Sequence, residues 1–135
     1  MTAWFVDANI FLRFLTVDDC GQHEKAVRLF DAARRGECRL ATGPPVLFEL
    51  AWTLRAAYKQ PKARVLEILK AVFATPGLTL IDAPLVADAL TLASATGSEF
   101  ADAYIAASCR AAKCSGVVTF NRKDFARLGV KLADL

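Results

Sequence analysis

The chain has 135 residues, 55% of them hydrophobic, with 17 basic and 14 acidic side chains and a net charge of +3. That length fits one compact domain, 1–135, and the apolar content excludes extensive disorder. No apolar run reaches the roughly 18 residues needed to cross a bilayer, and MTAWFVDANIF meets an acid at Asp7 with no basic leader, so a cytoplasmic protein without a signal peptide is expected.

AWFV (3–6) is short and β-prone and reads as a first strand, followed by a helical pattern from Ile10 to Leu15. Gln22 to Arg35 is amphipathic, with Ala26, Leu29, Phe30 and Ala33 on one face and Gly36 as its stop. CRLAT (38–42) reads as a second strand. Pro44 and Pro45 open a helix continuing through 46–58, because proline suits a first helical turn. Gln60-Pro61 breaks it, and another helix covers Ala63 to Ala74. LTLI (78–81) is a third strand, and a helix runs from Pro84 to Ala95. A helix containing Asp102 continues to Lys113. GVVTF (116–120) is expected as a fourth strand, Arg122 to Leu128 as a short helix and Val130 to Leu132 as a possible fifth strand. Short β-rich runs alternating with helices predict an α/β sandwich around a mainly parallel sheet of four or five strands.

The four cysteines, Cys20, Cys38, Cys109 and Cys114, include no pair with the two-residue gap typical of zinc sites. Reduced, mostly packed thiols are expected. The one histidine, His23, lies in the polar stretch DDCGQHEKA and is expected at the surface. A Ser-His-Asp or Cys-His mechanism is therefore disfavoured.

The acids are better placed for chemistry. Ligands in open α/β folds bind beyond the carboxyl ends of strands. Asp7 follows strand one, Asp82 follows strand three, and Asn121 and Asp124 follow strand four. Glu49 and Asp102 fall in the expected first turns of helices. Glu49 has only apolar neighbours from Val46 to Trp52, which predicts an enclosed carboxylate. Asp102 shares a helix face with Ile105, Ala106 and Cys109, where a carboxylate is costly without a partner.

Each acid also has a structural reading. Asp7 could cap the following helix, Glu49 could pair with Arg13 or Arg55, and Asp102 could only complement a helix dipole. Asn121 and Asp124 are spaced like a capping box, and Asp82 reads as a turn residue. Taken together, carboxylates converging in apolar surroundings would repel unless a cation joined them. Oxygen ligands without His or Cys favour Mg²⁺ or Mn²⁺ over Zn²⁺, and such ions commonly act on phosphates.

Four stretches carry a family resemblance. VDANIFLRFLTVDD, PPVLFELAWTLRAAY, FADAYIAAS and VVTFNRKDF occur in order across the chain. They are similar to the four motifs of the PIN-domain ribonucleases, and within them to the VapC-type toxins of toxin–antitoxin pairs. The resemblance implies a three-layer α/β/α sandwich and an endoribonuclease dependent on Mg²⁺ or Mn²⁺. Its products would carry a 5′-phosphate and a 3′-hydroxyl. It implies Asp7 as the central metal ligand, with Glu49 and Asp102 completing the coordination and Asp124 as a candidate fourth carboxylate. Asn9, Thr119 and Asn121 would orient these groups by hydrogen bonds. It also implies a homodimer restrained by a small antitoxin. Two positions depart from the pattern. Ala8 stands where many relatives carry Thr, and Asn121 where many carry an acid.

RNA binding would need cations, since phosphate neutralisation dominates affinity. Arg13, Arg55, Lys59 and Arg122 are the candidates, within basic clusters that also include Lys62, Arg64, Lys123 and Arg127. Ordinary solvated charge is the competing reading for each. Trp4, Phe11 and Trp52 are expected in the core rather than as stacking platforms. Two other functions compete with a nuclease. One is a PIN-fold RNA- or protein-binding module weakened at Asn121. The other is an acid-cluster phosphohydrolase, disfavoured because Asn9 stands where its second acid is usual.

Overall fold

In the computed structural model, which describes residues 1–134, three short apolar runs form a parallel sheet. Strands β1 (Ala3–Phe5), β2 (Arg39–Thr42) and β3 (Leu78–Leu80) lie in that order, with Trp4 opposite Leu40 and Ala41 opposite Thr79. Parallel neighbours require crossovers. Helices α1 (Ala8–Leu15) and α2 (Cys20–Arg34) link β1 to β2, and α3 (Pro44–Ala56) and α4 (Lys62–Phe73) link β2 to β3. Three helices follow: α5 (Ala83–Thr96), α6 (Phe100–Ala111) and α7 (Arg122–Arg127). This helix-rich α/β arrangement around an open parallel sheet is of the expected α/β/α class.

Local chemistry accounts for most boundaries. The Asp19 carboxylate accepts from the Gln22 amide at 3.0 Å and starts α2. Pro44 occupies the first position of α3, where no amide is needed. Asp82 takes a left-handed φ of 57° before α5, the turn role expected of it. Gly77 turns the chain into β3 at φ 79°, and a Cβ there would meet the Ala33 carbonyl oxygen at 2.5 Å. Only glycine fits both constraints.

The core is one cluster. It draws Leu47, Leu50 and Leu54 from α3, five aliphatic side chains from α4, and Leu40 from the central strand. Helices α5 and α6 pack through Ala89, Ala93, Ala103 and Ala106, all fully enclosed. Small side chains let their axes approach closely. Buried Thr42 donates its hydroxyl to the Val6 carbonyl at 2.9 Å and so satisfies its own polar atom.

Among the described residues the sheet has three strands, not the four or five expected. The stretches 116–120 and 130–132 meet each other through one parallel bridge, Val117 to Leu132, and join no other strand. Gly116 permits that contact, because a Cβ would lie 2.3 Å from the Lys131 carbonyl oxygen. Val118 and Phe120 face solvent, with Phe120 93% exposed. Of the β-prone run only Val117 is buried, and without a partner ladder β-propensity alone does not make a strand.

Candidate active site

Four helices packed in succession carry the four acids. α1 contacts α3, α3 contacts α6 and α6 contacts α7. Asp7, Glu49, Asp102 and Asp124 ride on them in that order. Asp7 is the N-cap of α1, its Oδ1 accepting from the Ile10 amide at 3.4 Å. Asp102 and Asp124 lie in the first turns of α6 and α7, where the helix dipole favours negative charge.

Glu49 differs from its expected setting. It sits in the second turn of α3 and is exposed. The helix buries Val46, Leu47, Leu50 and Leu54, and position 49 falls off that stripe. An apolar sequence neighbourhood does not enclose a side chain that points the other way. Neither proposed arginine partner reaches it. Arg13 donates to Gln22 Oε1 at 2.7 Å, and Arg55 turns to Glu99.

Asp102 and Asp124 converge. With Ser98, Glu99, Lys62 and Arg127 they line a cavity of about 100 Å³. Asp102 is half-buried, and loss of hydration pushes its carboxyl above the ordinary range, assisted by the charges of Asp124 and then Glu99. Asn121 holds the other side of the pair. Its Nδ2 donates to Asp124 Oδ2 at 3.0 Å, and its backbone amide donates to Thr119 Oγ1 at 2.9 Å. The amide at 121 and the acid at 124 therefore act as one linked unit.

A wider groove of about 490 Å³ opens beside this notch. Phe48, Trp52 and Arg55 of α3 form one wall, and Glu99 and Asp102 are common to both cavities. Asp7, Glu49 and Asn9 line neither. Glu99 was not singled out from the sequence, although its position three residues before Asp102 at the start of α6 was the available signal.

The expected RNA-binding cations are mostly engaged within the chain. Arg55 donates from Nε and Nη2 to Glu99 Oε1 at 3.0 and 2.8 Å, and from Nη1 to the Gln60 carbonyl at 3.1 Å. Arg122 donates to the Ala133 carbonyl at 2.9 Å. Lys59 is exposed, with a left-handed φ of 56°. The cations at the acidic notch are Lys62 and Arg127 instead.

Other expectations are corrected as well. Trp4 and Trp52 are 58% and 70% exposed, whereas Phe11 is in the core. Cys20 and Cys114 are exposed and only Cys38 is fully packed; all four cysteines are unpaired. His23 is half-buried, with Nδ1 2.8 Å from the Arg13 carbonyl oxygen.

Among the described residues, no three His, Cys, Asp or Glu side chains gather as a metal-binding group. Magnesium, however, commonly takes only one or two carboxylates, with water and substrate phosphate completing its shell. The Asp102–Asp124 pair, lined by oxygen donors and by neither His nor Cys, fits such an ion chemically.

A sequence profile described as the PIN domain matches residues 4–131. The chain belongs to the PIN domain family, a nuclease-type fold whose members typically use divalent metal ions. No curated protein matches the chain. No helix among the described residues is long and apolar enough to cross a membrane.

Proposed function

We propose that the chain is an endoribonuclease dependent on Mg²⁺ or Mn²⁺ that hydrolyses RNA phosphodiester bonds. The observation that carries this reading is the meeting of Asp102 and Asp124 in one small cavity, in a chain of the PIN family. Asp102 and Asp124 would hold the cation, and Asp7 and Glu49 on the neighbouring helices α1 and α3 would complete the acidic set. A bound divalent ion would supply charge neutralisation at the phosphate and a more acidic water. Asn121 holds Asp124 in orientation, and Thr119 in turn fixes Asn121. Lys62 and Arg127 would steer the RNA backbone toward the notch. No side chain need act as a nucleophile, in keeping with a notch lined by neither His nor Cys.

The same reading extends to biology. The four motifs resemble VapC-type toxins, so we place the chain in the cytoplasm as the toxin of a toxin–antitoxin pair, a homodimer neutralised by a small antitoxin. The test is incubation of the partner-free protein with a structured RNA pool, with Mg²⁺ or Mn²⁺ added or chelated. Metal-dependent cuts leaving 5′-phosphate ends, absent in Asp102→Asn, are expected. One observation favours a second reading. Asn121 stands where the family resemblance implies an acid, which suits a module that binds RNA without cutting it. Binding with no cleavage in either metal would select that reading.

A further inference from the structure

We infer that the groove beside the acidic notch is a nucleobase subsite, with the indole of Trp52 as its stacking platform for single-stranded RNA. The choice of ligand rests on the nuclease reading above. The placement rests on geometry.

Trp52 is 70% exposed in the middle of a 13-residue helix. With Phe48 and Ala51 it forms a contiguous apolar strip along one groove, the kind of patch that marks a binding site. It does not stand alone on a featureless surface. Phe48 lies one turn earlier on the same side of α3, and Arg55 nearly one turn later. All three line the groove whose far wall is Asp102. Phe48 is held in place by Phe100 and Tyr104, at ring-centroid distances of 5.5 and 5.0 Å. Arg55 is fixed by Glu99 and the Gln60 carbonyl. The wall carrying the indole is thus braced on both sides.

Continuity with the notch selects the occupant, since Glu99 and Asp102 are common to both cavities. The Glu99 and Asp102 wall leads into the notch where Lys62 and Arg127 sit, and Lys59 flanks the end of α3. A polyanion threaded toward the notch would present successive bases to the groove. A flat π-face accepts any base, so this subsite would confer affinity for unpaired strands rather than a sequence code. A paired base would have to leave its stack first, which restricts the site to single strands and loops.

The test measures binding without cleavage, so it does not depend on catalysis. The full chain, in chelator at low salt, is titrated into a labelled single-stranded oligoribonucleotide and followed by fluorescence anisotropy. Trp52→Ala should weaken binding about tenfold, within the range for one stacked base, while Trp52→Phe restores most of it. Trp4→Ala, which removes the other exposed indole, should leave affinity unchanged. An oligonucleotide abasic at every position, which cannot shift register to offer another base, should bind the wild type more weakly and should lose less in Trp52→Ala. The inference is overturned if Trp52→Ala binds like the wild type, if the abasic penalty persists undiminished in that variant, or if the wild type binds no RNA. It is equally overturned if Trp52→Ala only changes the sedimentation of the chain from dimer to monomer, which would make the face a self-interface. Intact stacking with no cleavage in any metal would leave the subsite standing and remove the nuclease reading.

Discussion

Arg55 and Glu99, 44 positions apart in sequence, join α3 to the start of α6 through two hydrogen bonds from one guanidinium to one carboxylate oxygen. The same guanidinium also holds the Gln60 carbonyl, so three segments meet on one side chain. Both partners are partly exposed, which limits the pair to about 1 kcal/mol. Arg55→Ala should lower the melting temperature by about 3–5 °C. Arg55→Lys should recover little, because an ammonium cannot reproduce the planar fork. Thermal unfolding of the two variants checks both statements.

Asp102 gives the site a pH dependence of definite sign. Its folded-state pKa is raised by burial and by Asp124 and Glu99. The folded state then holds a proton that the unfolded state has released, so stability falls as pH rises through the folded value. The contribution is fully present below the ordinary carboxylate range and lost above the raised one. Asp102→Asn, which carries no charge, should melt higher than the wild type at pH 7, and the gap should close as the pH is lowered toward 4. Melting curves across that range would show a constant gap if the carboxylate were unperturbed. Cleavage in Asp102→Asn should fall by about a hundredfold or more, the scale for loss of a group at the reacting centre.

Asn121→Asp would set two carboxylates against each other where an amide now donates to Asp124 at 3.0 Å. In chelator the variant should melt below the wild type. Mn²⁺ or Mg²⁺ should raise its melting temperature more than that of the wild type, because a cation relieves the new repulsion. Equal metal-induced shifts in both proteins would show that position 121 does not face the ion.

Asp7 separates structure from chemistry. Asp7→Ala removes the cap of α1 and should cost about 1 kcal/mol. Asp7→Asn keeps a good capping residue but loses the charge, so it should melt near the wild type. If Asp7 belongs to the acidic set, cleavage should be lost in both variants; full activity in Asp7→Asn would confine the residue to capping.

Much of the frame was legible because local rules wrote it. Pro44 announced α3, and the periodicity of 26, 29, 30 and 33 with Gly36 as the stop revealed α2. Asp102 stood out as a charge on an apolar face and does prove half-buried. What escaped depended on long-range partners. Strand propensity in 116–120 could not reveal that no sheet edge pairs with it. Glu49 was misjudged because adjacency in sequence is not adjacency on a helix face. Trp52 and Glu99 gained their setting only when α3 met α6, a contact between segments more than 40 residues apart. Nothing local encodes that meeting.

Gly77 is remote from the acids, yet any side chain there would collide with the Ala33 carbonyl and oppose its left-handed backbone. If the chain is the toxin proposed above, a genetic selection for harmless variants would recover Gly77 substitutions beside those at Asp102, for an unrelated reason. The two groups would separate by abundance in the cell: defective folding depletes the protein, whereas a neutralised carboxylate leaves it plentiful and inert.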